Sequence, residues 1–156
     1  MKVGLISDTH GLMRAEALQA LAGSDFIIHA GDIGDQAVIE RLGEIAPVTA
    51  VRGNNDTDAW AAQIPETNVL DAKGVRFFVL HSVNDLDVDP AEAGFQAVVS
   101  GHSHRPEIQV REGVLFINPG SAGPRRFRLP ISVATVVCRN GQIAPQLVEL
   151  TPSVST

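Results

Sequence analysis

Val3-Gly4-Leu5-Ile6-Ser7-Asp8-Thr9-His10 is a short apolar run that ends in a carboxylate and an imidazole two residues apart. Val3 and Leu5, like Phe26-Ile27-Ile28 further on, belong to near-continuous apolar stretches of the kind a parallel strand shows when both its faces are covered. Polar ligands then emerge at the strand's carboxyl end, and the crevice beyond such ends is where open α/β sheets bind ligands. In extended backbone, residues two apart project to the same side, so Asp8 with His10, and His102 with His104, are each expected to grip one region of space.

Outward from this run the pattern alternates. Arg14 to Ala22 reads as a helix, with Leu18, Leu21 and Ala22 at helical spacing and Gly23 as its stop. Phe26 to His29 reads as a strand, Gln36 to Ala46 as a helix and Val48 to Val51 as a strand, which makes a βαβαβ unit. From Thr67 onward the texture is β-rich, with strands expected over 67–70, 75–81, 97–100, 108–111, 114–118, 131–139 and 142–150. Asn140-Gly141 is a strong signal for a tight hairpin turn, and Lys73-Gly74 and Glu112-Gly113 are weaker versions of it. The elements suit an α/β (α+β) protein with two sheets and helices outside them, one domain over residues 1–150, and a frayed tail over 151–156.

Five segments put ligand atoms at the ends of strand-like runs: Asp8-Thr9-His10, Gly31-Asp32, Gly53-Asn54-Asn55-Asp56, His81 and Gly101-His102-Ser103-His104. Four of the five histidines fall in them. Singly, each has a bland reading: a turn or helix cap for Asp8-Thr9-His10, an ordinary loop for Gly31-Asp32, a hydrogen-bonded half-buried histidine for His81, a solvated turn for His102-Ser103-His104. Taken together and in order, a two-metal hydrolytic centre accounts for all of them. Imidazoles mixed with carboxylates suit manganese, nickel, iron, cobalt or zinc better than calcium or magnesium. His29, the fifth histidine, reads as structural or as a hydrogen-bond partner of a ligand loop.

The same ordered segments resemble the calcineurin-like metallophosphoesterases. The opening Met1 to His10, the compact length and Asn118-Pro119-Gly120-Ser121 are similar to the small single-domain predicted phosphodiesterases of bacteria and archaea. The resemblance implies a four-layer αββα sandwich of two mixed sheets flanked by helices, and hydrolysis of a phosphodiester by a metal-bound hydroxide. It also implies a ligand set: Asp8, His10 and His104 on one ion, Asn54, His81 and His102 on the other, and Asp32 bridging. A carboxylate can bridge because its two oxygens serve ions about 3.5–4 Å apart. Two carboxylates, two divalent ions and one hydroxide sum to +1, so an anionic ester is attracted locally.

One motif departs from the family. Where relatives read Gly-Asn-His-Asp, or carry Cys in place of that His, this chain has Gly53-Asn54-Asn55-Asp56. The His is the family's proposed general acid, and an amide cannot deliver a proton at neutral pH. Asn55 is therefore expected to orient a phosphate oxygen, and Asp56 to orient Asn55 or brace the loop. Arg52 and Arg125 are candidates for contact with substrate phosphate, with solvent exposure as the alternative for each. Asn118-Pro119-Gly120-Ser121 is expected to shape a loop near the site.

Composition sets the remaining bounds. The 156 residues carry a net charge of −6, which argues against non-specific nucleic-acid binding. No apolar run approaches the ~20 residues of a membrane span. The lone Cys138, in an apolar run, reads as a buried core thiol, and with no leader-like start it fits a cytoplasmic protein. The expected partner is a small-molecule or nucleotide phosphoester, and self-association into a homo-oligomer is open. Two rivals stay open as well: a phosphomonoesterase acting on a small phosphorylated metabolite, and a non-catalytic interaction module like the eukaryotic retromer subunit of similar fold.

Overall fold

A computed structural model describes residues 1–126 and 128–151. The alternating first third forms β1 (Lys2–Ile6), α1 (Ala15–Leu21), β2 (Phe26–His29), α2 (Gln36–Gly43) and β3 (Val48–Ala50). β1, β2 and β3 pair in parallel, with Val3 opposite Phe26 and Ile27 opposite Val48. The β-rich remainder supplies β4 (Thr67–Ala72), β5 (Val75–Leu80), β6 (Ala97–Val99), β7 (Glu107–Arg111), β8 (Val114–Asn118), β9 (Ser132–Arg139) and β10 (Gln142–Glu149). β9 returns to the first sheet antiparallel to β1, giving the order β10-β9-β1-β2-β3. The second sheet runs β4-β5-β6-β8-β7, parallel at its centre and antiparallel at both edges.

Side chains alternate across each strand, so each sheet has two faces to cover. Val3, Leu5, Ile28, Ala134 and Val136 of the first sheet meet Phe77, Val79, Ala97, Val99 and Ile117 of the second in a fully shielded core. The opposite face of the first sheet, with Ile6, Ile27 and Val133, is covered by Ala17 and Leu21 of α1 and Val38 and Leu42 of α2. On the outer face of the second sheet, Phe78, Leu80 and Val98 pack under Leu86 and Phe95 from the connection between β5 and β6. That connection holds one 3-10 turn (Val83–Asp85) in place of an α-helix. Asn84, Asp85, Asp87, Asp89, Pro90 and Gly94 make it rich in turn formers and leave it without helical periodicity. The two-sheet sandwich is the expected one, with α-helices on a single outer face.

The three expected hairpin turns are present. Lys73, Glu112 and Asn140 have φ of 52°, 51° and 52°, and each is followed by a glycine of positive φ, as primed turns require. The α2 helix stops at Gly43, short of the expected Ala46, and Thr151 is the last residue described of the expected tail. Residues 152–156 and Phe127 lie outside the described residues. Among the described residues, no helix is long and apolar enough to cross a membrane.

α1 approaches β1 closely at Gly4, where an added Cβ would lie 2.7 Å from Leu21 Cδ2 and 2.9 Å from Ser24 Oγ. Gly4→Val is therefore expected to overpack this contact and cost about 1–3 kcal/mol, read as a lower urea midpoint. An unchanged midpoint would show that α1 can be displaced without cost.

Candidate metal centre

Beyond the strand ends, backbone pairing continues into the loops. Asp8 N donates to Gly31 O at 2.9 Å, His10 N to Asp32 O at 2.9 Å and Gly11 N to Ile33 O at 2.7 Å. The loop after β1 is thereby fixed against the loop after β2. In the second sheet, Gly101 N donates to His81 O at 2.8 Å, which ties the loop after β6 to the end of β5. His102 N donates to Asp8 Oδ2 at 3.1 Å and joins the two halves.

Asp8, His10, Asp32, His81, His102 and His104 converge as expected, but not through extended backbone. Asp8, His10, Asp32, His102 and His104 have φ of 56°, 47°, 54°, 73° and 63°, five of the eight non-glycine residues with positive φ among those described. Asp and His tolerate this left-handed region better than most residues, yet each instance costs about 1–3 kcal/mol. The chain turns sharply at each of these five residues, and the turn rather than strand alternation aims the side chain. Glycines leave the space for it: a Cβ on Gly53 would collide with the Asp32 carboxylate, and one on Gly101 with Ser7 Oγ and Asp8 Oδ2.

The distances define the chemistry. Asp8 Oδ1 lies 3.9 Å from His10 Nε2, 4.0 Å from His81 Nε2 and 3.3 Å from His104 Nε2. Asp32 Oδ2 lies 3.8 Å from His10 Nε2 and 3.3 Å from His81 Nε2. The His81 and His102 rings meet edge to face with centroids 5.1 Å apart, and those of His10 and His104 are 5.5 Å apart. His81 Nδ1 is 2.8 Å from the Ala30 carbonyl, so Nδ1 carries the proton and neutral His81 turns an Nε2 lone pair toward the carboxylates. Asp8 Oδ1, His10 Nε2 and His81 Nε2 are buried with no hydrogen-bond partner. Lone pairs facing one another in a shielded space repel unless a proton or a cation lies between them.

Both carboxylates are ionised. Burial works against Asp32, but the adjacent His81 imidazole and the Asn55 backbone N–H outweigh it and hold Asp32 far below the ordinary carboxylate range. Burial likewise opposes Asp8, and the adjacent His104 imidazole and the hydrogen bond from Ser7 keep it lowered. Burial pushes His81 down, yet the neighbouring Asp32 carboxylate raises it, so a proton can occupy this space when no metal does. Two triads, Asp8 with His10 and His104, and Asp8 with Asp32 and His81, have ligand atoms within 4.8 Å of one another. Oxygen and nitrogen donors around one transition-metal ion stand roughly 3–4 Å apart, given bonds of about 2.0–2.2 Å, so the residues fit such an ion.

The remaining expected residues separate into two groups. Asn54 is exposed and, with Arg52, His81 and His102, lines a cleft of about 640 Å³. Arg52 is held there by Glu66, Nη2 to Oε1 at 3.2 Å. Arg125 is exposed, does not line this cleft and donates from Nε to Leu129 O at 3.2 Å within its own loop. Asn55 differs from expectation: its backbone N donates to Asp32 Oδ1 at 2.9 Å and its Nδ2 to Asp32 Oδ2 at 3.1 Å, so the amide clasps an ionised carboxylate, the strongest acceptor within reach. Asp56 braces the loops, with Oδ2 accepting from Ile33 N and Gly53 N and Oδ1 from Gly34 N, at 2.9–3.0 Å. Asn118 and Ser121 shape loops as expected, donating to Gly101 O and Asp8 O at 3.0 Å each.

Sequence reasoning passed over Ser7, whose Oγ donates to Asp8 Oδ2 at 2.6 Å; a serine beside an aspartate carries no distinguishing signal. It also left Thr9 without a role. His29 Nδ1 accepts from Gly31 N at 3.1 Å, so Nε2 bears the proton and donates to Thr9 Oγ1 at 3.0 Å, which donates to Ile33 O at 2.8 Å. The relay joins the loops that carry Asp8 and Asp32.

Comparison with known proteins supplies a family and a fold. A family model described as the calcineurin-like phosphoesterase superfamily domain matches residues 1–141. A probable metallophosphoesterase of Methanocaldococcus jannaschii is 32% identical over 134 residues, spanning 78% of this chain and 68% of the relative. A phosphodiesterase of the same archaeon is 29% identical over 138 residues, spanning 77% of this chain and 83% of its own. Among solved structures, an archaeal phosphodiesterase superposes with a TM-score of 0.79 at 21% identity, over 95% of this chain and 100% of that one. Vps29 of Chaetomium thermophilum gives 0.74 at 22% identity, over 98% and 100%; at such identities these two establish the fold alone. The chain belongs to the calcineurin-like phosphoesterase superfamily.

Burial lowers the His29 pKa from 6.5 to about 4. The unfolded chain therefore binds the extra proton first as pH falls, and the stability held above pH 6.5 is lost progressively down to about pH 4, at up to ~1.4 kcal/mol per pH unit. In chelator, His29→Gln is expected to be less stable at pH 7.5 and to lose less stability than the parent between pH 6.5 and 4.5 in urea titrations. Parallel pH profiles would refute the assignment of this proton.

Proposed function

We propose that this member of the calcineurin-like phosphoesterase superfamily hydrolyses a phosphodiester at a pair of divalent transition-metal ions, manganese foremost, with nickel, iron, cobalt or zinc as substitutes. The observation that supports it is the set of buried, unpartnered ligand atoms, Asp8 Oδ1, His10 Nε2 and His81 Nε2, facing one space. Asp8, His10 and His104 would hold one ion, Asn54, His81 and His102 the other, and Asp32 would lie between them. When bound, such ions supply Lewis-acid activation of water and neutralise charge on phosphate.

The chain's own residues do the positioning. Asn55 fixes the Asp32 carboxylate through two hydrogen bonds, and Asp56 fixes the loop that carries Asn55. Arg52, steadied by Glu66, offers a guanidinium at the cleft where a phosphate oxygen would lie. The Asn55 amide cannot deliver a proton to a leaving group. Esters with good leaving groups are thus the favoured substrates, and diesters rank above monoesters, as the relative with a phosphodiesterase name suggests. The buried Cys138 thiol, pushed up by burial, fits a reducing cytoplasm.

Asp32→Asn and His102→Ala are each expected to lower turnover of bis-p-nitrophenyl phosphate by at least about a hundredfold with unchanged circular dichroism. Chelation should abolish activity, and manganese or nickel should restore it. Retained activity in both variants would end the proposal, and faster turnover of p-nitrophenyl phosphate would shift it to a monoesterase. Asn55→His is expected to raise rates for alkyl esters more than for phenyl esters, and equal changes would show that acid assistance is not limiting.

A further inference from the structure

A second cavity, of about 290 Å³, opens on the outer face of the second sheet beside the metal cleft. It shares His102 and Asn84 with that cleft, so the two spaces meet at a proposed metal ligand. Phe116 of β8, Val83, Arg105 and Arg111 are among the residues that line it. The Arg111 guanidinium lies over the Phe116 ring, 4.8 Å from its centroid. Gln109 Oε1 accepts from both Nε and Nη2 of Arg111, at 3.1 and 2.8 Å, which pins the planar group in place. The side-chain amide of Asn84 makes no hydrogen bond among the described residues, leaving a donor and an acceptor free.

We infer that this cavity is the subsite for the retained arm of the diester, and that the arm is a nucleoside. The inference rests on the metal-centre reading above, because His102 is what links the cavity to the phosphate. Size and shape select a flat group of one or two rings, since ligand pockets usually start near 300 Å³ and stacking on a guanidinium or an aromatic ring suits every base. Charge selects the side. Arg105 and Arg111 against Glu107 leave this cavity net positive, whereas Glu66, Asp85 and Asp87 against Arg52 leave the rim of the main cleft net negative. An electron-rich base therefore goes to the cavity, where Asn84 can pair with its polar edge. The departing arm lies on the cleft side.

The test compares thymidine 5′-(p-nitrophenyl phosphate) with methyl p-nitrophenyl phosphate on the manganese-loaded full chain. Both release p-nitrophenolate, so only the retained arm differs. The nucleoside ester is expected to show kcat/KM at least about tenfold higher, expressed in KM. Arg111→Ala and Asn84→Ala should each pull that ratio toward one through KM. A ratio near one in the parent, or one unmoved in both variants, overturns the subsite while metal-dependent cleavage leaves the centre standing. Absence of metal-dependent cleavage of either ester overturns the centre and the subsite with it.

Discussion

Carboxylate oxygens and imidazole nitrogens turned toward one buried space, with no partner of opposite sign among them, are the constraint around which this molecule is organised. Each of these atoms would be more stable in water or paired with a donor, and bringing them together costs desolvation and mutual repulsion. The fold accepts this because the loops are fixed by bonds that do not involve the ligand atoms. Backbone pairing of the Asp8 and Asp32 loops, the Thr9–His29 relay and the Asp56 brace all lie behind the site. Stability stored there offsets repulsion in front, and a bound cation turns that repulsion into coordination.

The sandwich is the means of assembling such a space. Each sheet contributes loops at the carboxyl ends of its parallel strands: β1 and β2 from the first, β5 and β6 from the second. The apolar layer between the sheets sets their separation, so packing of Leu5 and Ile28 against Val79 and Val99 fixes how far Asp8 and Asp32 lie from His81 and His102. The left-handed turns at five of the ligands then take up what strand direction cannot supply. Among the described non-glycine residues, left-handed backbone appears at these five and otherwise at the three hairpin residues that precede glycine.

Most of this architecture was legible from local signals. Apolar runs bounded by Gly, Asp and His marked the strands, and Asn140-Gly141 marked its hairpin because positive φ at two successive residues leaves few alternatives. Candidate ligands could be named because carboxylate and imidazole at successive strand ends have one common chemistry, and the fold brings six of them together. The reason they converge was not, since alternation in an extended backbone and a left-handed turn both bring Asp8 and His10 to one side, and only backbone angles distinguish them. The missing outer helix on the second sheet was foreshadowed by turn formers over residues 82–96. The roles of Ser7, Thr9 and Asn55 depend on partners 1 to 24 residues away and carry no periodic signature.

Asn55 shows how an amide is accommodated beside a candidate ligand carboxylate. Relatives are expected to place a proton donor there, and the loop around it is firmly held: Asp56 accepts from Gly53, Ile33 and Gly34, and the Asn55 backbone N–H binds Asp32. With a neutral amide, the side chain adds a second bond to the same carboxylate, which lowers its proton affinity without adding a titratable group. An imidazole in that place would compete with the ligands for the Asp32 charge whenever it was protonated. The amide cannot donate a proton to a leaving group and keeps both Asp32 oxygens anionic; under the proposed phosphodiesterase function that exchange would favour esters whose leaving groups depart as stable anions.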